Sequence, residues 1–186
     1  RMRRERSAFV AEIGEKRREI AQKAMVDAIF ARFSCRIVAG YFASGSEIDP
    51  SGYPGALAFP RVLPGGGVAF HACPRADLRP GFAGIPEPDA SSPLVEPDVV
   101  LVPLVAVDRR GNRIGQGGGH YDRTLDRLRA HRPVVAIGVA WDIQLVDSVL
   151  TEPWDQPLDA IATPTQWLTL TDAVLAQARA SSTMRG

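Results

Sequence analysis

The residues best suited to chemistry lie in Asp108-Arg-Arg-Gly-Asn-Arg-Ile-Gly-Gln-Gly-Gly-Gly-His-Tyr-Asp-Arg123. Glycine at 115, 117, 118 and 119 strips side-chain cover from one short loop. Consecutive backbone N–H groups can then turn toward a single anion, and a helix starting directly afterwards adds its partial positive charge. Arg113 and Arg123 flank the loop as phosphate partners. Two known cradles are excluded: G-x-G-x-x-G fails because position 120 is His, and the P-loop pattern fails because no Gly-Lys-Ser/Thr closes the loop. A flexible surface turn would account for the same glycines. Asp122 also has two readings, as a carboxylate paired with the helix dipole or as a Mg²⁺ ligand beside phosphates. Mg²⁺ commonly takes one or two carboxylates plus phosphate oxygens. Asp155 and Asp159 are the further carboxylates that a parallel-sheet topology would bring to the same edge.

No Ser-His-Asp or Cys-His arrangement stands out, so no side chain is assigned as nucleophile or general base. Cys35 and Cys73 sit beside apolar residues and read as reduced, buried thiols. His71 and His131 read as structural or surface residues, and Trp141 and Trp154 as core or rim aromatics.

These groups need elements to position them. Met2, Phe9, Ile13, Ile20, Ala24, Ala28 and Phe30 recur at helical spacing, which predicts a helix over 2–33 in two segments around Gly14. A short apolar run over 36–42 predicts a strand. The Gly- and Pro-rich stretch 43–97, with apolar pieces at 56–59 and 67–71, predicts short strands joined by loops. Continuous apolar runs at 99–103 and 134–140 read as strands buried on both faces. Between them, Tyr121, Leu125 and Leu128 form the inner face of a helix over 121–130. A third short strand surrounds Ile161, and Thr165 is placed to cap a last helix over 166–179. The resulting fold class is α/β: a single layered domain over 1–186, with a central mostly parallel sheet flanked by helices.

At 186 residues the chain is long enough to bury a core without disulfides or structural metals. Twenty-two Lys and Arg against 21 Asp and Glu leave a formal charge of +1, which excludes a global nucleic-acid-binding surface. No apolar run reaches the roughly 18 residues of a membrane span. The Arg-rich start carries Glu5, Glu12, Glu15 and Glu19, unlike an acid-poor mitochondrial presequence, and no apolar secretory core follows. The expected location is the cytoplasm, and the expected state a monomer.

The chain resembles the 5-formyltetrahydrofolate cyclo-ligase (methenyltetrahydrofolate synthetase) family. That family's central signature matches Leu101-Val-Pro103, Val107-Asp108, Gly111, Arg113-Ile-Gly115, Gln116-Gly-Gly-Gly119 and His120-Tyr-Asp-Arg123. Met2-Arg3, Glu47-Ile-Asp49, Phe59-Pro-Arg61 and Gly84-Ile-Pro-Glu-Pro88 match further pieces in order. Gln144, Glu152-Pro-Trp-Asp155, Leu158-Asp159 and Thr163 match the C-terminal pattern.

The resemblance implies ATP-dependent conversion of 5-formyltetrahydrofolate to 5,10-methenyltetrahydrofolate, through a phosphorylated formyl oxygen, with ADP and phosphate released. By position it implies ATP contacts from Arg3, Arg113, Ile114, Gly115, Gln116, Gly117, Gly118, Gly119, His120 and Tyr121. Folate contacts fall to Glu47, Gln116 and His120, and Mg²⁺ to Asp122 and Asp159. The chain departs from the family at Gln116 and His120, where relatives carry other side chains. It also departs between Glu47 and Pro60, where relatives fit a helix and only Pro50-Ser-Gly-Tyr-Pro-Gly55 intervenes. The family's basic residue before Leu-Arg would precede position 1, which implies a trimmed N-terminus. Two alternatives follow from these departures: a nucleotide- and folate-binding member without turnover, or an ATP-using enzyme of the same fold on another substrate.

Overall fold

The computed structural model describes residues 1–34 and 36–176. Cys35 and the distal part of the predicted last helix, 177–179, lie outside them. Helix α1 (Met2–Phe33) is interrupted at Gly14, whose φ of 71° and ψ of 166° break the ladder. The two predicted segments are therefore present. Its second segment buries Met25, Val26, Ile29 and Phe33.

Strand β1 (Val38–Ala39) is shorter than the apolar run 36–42, because after Gly40 bonds Ala58 O the chain leaves the ladder. A single 3₁₀ turn (Pro50–Gly52) leads to the hairpin β2 (Leu57–Val62) and β3 (Val68–Ala72). A small ribbon of β4 (Arg79–Pro80) and β5 (Pro86–Glu87) precedes the edge strand β6 (Leu94–Val95). Then come β7 (Val99–Pro103), β8 (Ala106–Asp108), β9 (Arg113–Ile114), α2 (His120–Arg129) and β10 (Val135–Val139). The described chain closes with β11 (Leu145–Val146), β12 (Ala160–Ala162) and β13 (Trp167–Thr169).

The main sheet has the order β13-β12-β10-β7-β1-β2-β3-β6. It is parallel from β12 across to β2 and antiparallel at both edges. Alternation along β7 divides the core between the two faces. Val99 and Leu101 pack with α1, while Val100 and Val102 pack with Leu125 and Leu128 of α2. Helices on both faces explain why these strands read as unbroken apolar runs.

One expectation is corrected. Residues 167–169 form β13 rather than the start of a helix, and helical backbone occupies only 172–176 among the described residues. Trp167 pairs with Ala162 across the ladder, and Arg32 lies over its ring at 4.4 Å. These tertiary contacts outweigh local propensity. Thr165 caps nothing; its hydroxyl donates to Asp142.

A second, three-stranded sheet in the order β11-β8-β9 carries the glycine loop into α2. Leaving at the carboxyl edge of the main sheet, this unit puts the loop where ligands of open α/β sheets bind. Helix α2 then runs back toward the amino edge.

Candidate active site

Asp108 builds the hairpin that presents the loop. Its side chain is fully buried and accepts N–H groups of Arg110, Asn112 and Val149, the Asn112 side-chain amide, and Arg110 Nη2. Burial opposes ionisation, but these donors, Asn112 foremost, outweigh it and hold the carboxyl at about 2. Gly111, at φ +87°, is required there: a Cβ would lie 2.8 Å from Leu158 O.

Among the described residues, no N–H from 115 through 122 donates to a protein acceptor, and the first bond of α2 is Arg123 N to Gly119 O. The N-cap, Gly119, is left-handed and offers no side-chain cap. Two arginines fix the loop from outside. Arg3 Nη2 donates to Gln116 O at 3.2 Å, and Arg123 Nη2 donates to Gly118 O. Because C=O and the next N–H of a trans peptide are antiparallel, the N–H groups of Gly117 and Gly119 point away from these cations. The arrangement leaves a run of backbone N–H groups without protein acceptors, as an anion cradle requires. Gly66 makes room for it, since Arg123 lies where a Cβ would stand.

Arg113 is placed differently from a free phosphate partner. Its side chain is 5 % exposed, pairs with Asp122 Oδ1 at 2.6 Å and donates to Gln156 O. The cations touching the loop itself are Arg3 and Arg123.

Glu47 is buried and comes to the loop as the motif implied. Its Oε1 accepts Gln116 Nε2 at 2.9 Å and its Oε2 accepts Ser44 N at 2.8 Å. Two phenols feel this carboxylate. Burial first, and then the Glu47 charge, push Tyr121 and Tyr41 well above the ordinary tyrosine range, so both stay neutral. His120 links loop to cavity. Its ring meets Phe82 edge-on at 5.6 Å, and among the described residues its buried Nδ1 has no hydrogen-bond partner. The adjoining cavity, of about 830 Å³, is lined by Arg61, Val62, Gly66, Phe82, Glu87 and His120 among others. Ile114 is half-exposed at the loop's entry.

Asp122 and Asp159, the expected metal pair, are held by different partners. Asp122 stands on the first turn of α2, whereas Asp159 is tied to its last turn through Arg129 at 2.7 Å. Seven residues of helix, about 10 Å of rise, lie between Asp122 and Arg129, the residue with which Asp159 pairs. Asp159 is also spent: Oδ2 takes Ala136 N and Oδ1 takes the Thr171 hydroxyl. Asp122 Oδ1 accepts Arg113 and Gln156 N, leaving Oδ2. Asp155 is the next carboxylate along from Gln156, with Oδ2 on Glu152 N. No group of three or more His, Cys, Asp or Glu suits a metal among the described residues.

Several supports escaped the motif reading. Arg6 is buried, donating to Ser46 Oγ and Leu104 O, and Trp141 Nε1 donates to Ser46 O. The only sequence signal for Arg6 is its spacing from Arg3, on the same helical face. Trp141 is a core residue as expected, and His71 is held by Ser92 O. Cys73 is only partly buried, its thiol bonding Pro74 O. No helix among the described residues is long and apolar enough to cross a membrane.

An α/β domain with a glycine loop of unpaired amides at the carboxyl edge and a folded-in carboxylate beside it defines the class. The sequence profile of the 5-formyltetrahydrofolate cyclo-ligase family matches residues 16–164, and the chain belongs to that family. A 5-formyltetrahydrofolate cyclo-ligase of Escherichia coli K12 is 47% identical over 74 residues, 40% of each chain. One from Mycolicibacterium smegmatis is 46% identical over 69 residues, 37% of this chain and 34% of that one. The matched stretches thus span well under half the length of these curated relatives. The NMR structure of Aquifex aeolicus 5,10-methenyltetrahydrofolate synthetase superposes with a TM-score of 0.72 at 25% identity, covering 92% of both chains. The Mycoplasma pneumoniae 5,10-methenyltetrahydrofolate synthetase, at 21% identity and a TM-score of 0.65, shares the fold.

Proposed function

We propose that this chain catalyses the ATP-dependent cyclisation of 5-formyltetrahydrofolate to 5,10-methenyltetrahydrofolate, releasing ADP and phosphate. The observation that carries the reading is the unpaired N–H run 115–122, joined by the Gln116–Glu47 contact to a buried carboxylate. A formyl oxygen is a poor leaving group. Transfer of the γ-phosphoryl to it creates a good one; the substrate's own N10 then attacks the formyl carbon, and phosphate departs as the ring closes.

Neither step needs a protein nucleophile. The loop amides hold the phosphates, and Arg3 and Arg123 keep those amides aligned. Glu47 and Gln116 meet the pterin side, and His120 borders the cavity that takes the rest of the folate, walled in part by Arg61 and its partner Glu87. Ring closure is intramolecular, and effective molarities of order 10⁵ M or more show how much a held conformer supplies. Asp122 Oδ2, with Asp155 beside it, fits a Mg²⁺ bound through one or two carboxylates, which would add positive charge to the phosphate oxygens. Asp159 does not fit that role.

The test is one cuvette. Methenyl absorbance and ADP should appear together, and only with 5-formyltetrahydrofolate, ATP and Mg²⁺ all present. ATP hydrolysis indifferent to the folate would overturn the proposal.

A further inference from the structure

Trp154 is 67% exposed and Leu150 is 96% exposed, on the segment between β11 and β12. The other two tryptophans are used: Trp141 is buried, and Trp167 lies under Arg32 and beside Phe33. Among the described residues no ring or cation stacks on Trp154. A tryptophan left this open is unusual, because the indole carries the largest apolar surface of any side chain.

The backbone presenting it is well tied. Asp155 N donates to Glu152 O at 3.0 Å, and Glu152 N donates to Asp155 Oδ2 at 2.8 Å. Pro153 and Trp154 occupy the tip of that turn, and proline presets its φ. The path of the chain sets where the tip lies. Leu158 N bonds Gly111 O; two residues earlier, Gln156 O receives Arg113 and Gln156 N reaches Asp122. Residues 156–158 are thus fastened to Gly111, to the Arg113 guanidinium and to Asp122 on the first turn of α2. Trp154 lies just upstream, its Cα within about 7 Å of that of Gln156. Ile114, 47% exposed, leads into the glycine loop.

We infer that Trp154 is the stacking platform for the aromatic base of the nucleotide whose phosphates occupy the 115–122 cradle. This rests on the nucleotide reading above. The turn holds the indole two residues from Gln156, which Arg113 and Asp122 fasten beside the loop. The role is specificity: a nucleoside triphosphate gains from the indole, and a bare polyphosphate does not.

Full-length wild type, W154A and W154F are titrated calorimetrically with ATP and with inorganic tripolyphosphate, both in Mg²⁺. Base–aromatic stacking predicts that W154A weakens ATP about tenfold or more. W154F should stay near wild type, and tripolyphosphate should bind all three alike. Unchanged ATP affinity in W154A, or equal weakening for ATP and tripolyphosphate, overturns the stacking role while leaving the phosphate cradle standing. Wild type binding neither ligand overturns the nucleotide reading and this inference together.

Discussion

Asp122→Asn and Asp159→Asn should fail in different ways, although the two aspartates read alike in the sequence. In Asp122→Asn the amide oxygen can still accept Arg113 Nη2 and Gln156 N. The structural loss is the difference between a charge-assisted and a neutral bond, about 1–2 kcal/mol. For a domain of this size that lowers Tm by roughly 2–8 °C. Catalysis should suffer more, because a metal ligand contributes several kcal/mol of charge stabilisation, equivalent to at least ~100-fold in kcat/KM. In Asp159→Asn the amide oxygen can serve Arg129 and Ala136 N while the amide NH₂ donates to the Thr171 hydroxyl. The charge beside Arg129 is lost, at about 1–2 kcal/mol and a similar fall in Tm. The Mg²⁺ dependence should remain that of wild type. Methenyl absorbance measured across a Mg²⁺ titration, with thermal melts alongside, separates the two. A right-shifted Mg²⁺ curve for Asp159→Asn, or a wild-type curve for Asp122→Asn, would refute the assignment.

Three further outcomes follow from the same contacts. Glu47→Gln should weaken 5-formyltetrahydrofolate and leave ATP affinity unchanged by calorimetry. It should also lower the raised Tyr121 and Tyr41 ionisations in an ultraviolet titration, since the Glu47 charge raises both. At Gly117→Ala no atom obstructs the new methyl, but φ +97° strains an alanine by about 1–3 kcal/mol; the exposed loop should relax when empty, with little change in Tm, and restoring it should weaken ATP about tenfold. Asp108→Ala removes the acceptor of its whole turn and should cost at least ~3 kcal/mol, read as a Tm fall of roughly 6–12 °C. Because the folded Asp108 ionises near 2 against an ordinary 3.8, its contribution is complete above pH 3.8 and lost as pH falls toward 2. Acid melts of Asp108→Ala should lack that step.

Patterns that depend on burial alone were readable. Both doubly buried strands, the break at Gly14 and the inner face of α2 stand where apolar runs and one glycine put them. Strand β13 was not, because Trp167-Leu-Thr is settled by Ala162, Arg32 and Phe33 rather than by its neighbours in the chain. The site was legible wherever chemistry sits on one contiguous segment, as from Asp108 to Arg123. It was illegible where distance decides. Asp155 and Asp159 are equivalent by type and spacing, and only the register that sets Asp159 against Ala136 and Arg129 assigns it to the scaffold. Arg113 likewise looks like a phosphate ligand until Asp122 and Gln156 are found around it.

The shortened crossover between Glu47 and β2 bears on whether the substrate side is intact. Where relatives fit a helix, this chain has one 3₁₀ turn, started by Asp49 accepting Ser51 N. Loss of a helix would matter if it held Glu47, but the fastenings lie elsewhere. Ser46 is bound through its carbonyl by Trp141 and through its hydroxyl by Arg6 and Ser7. Ile48 O takes the Tyr41 hydroxyl at 2.6 Å, and Asp49 N is held by Gln22. Both flanks of Glu47 are thus anchored to α1, to the exit of β1 and to the exit of β10, none of which lies within the shortened stretch. A missing helix therefore removes cover from the sheet near Tyr53 and Leu57 without loosening the carboxylate. The proposed folate contact keeps its fastening despite the shorter crossover.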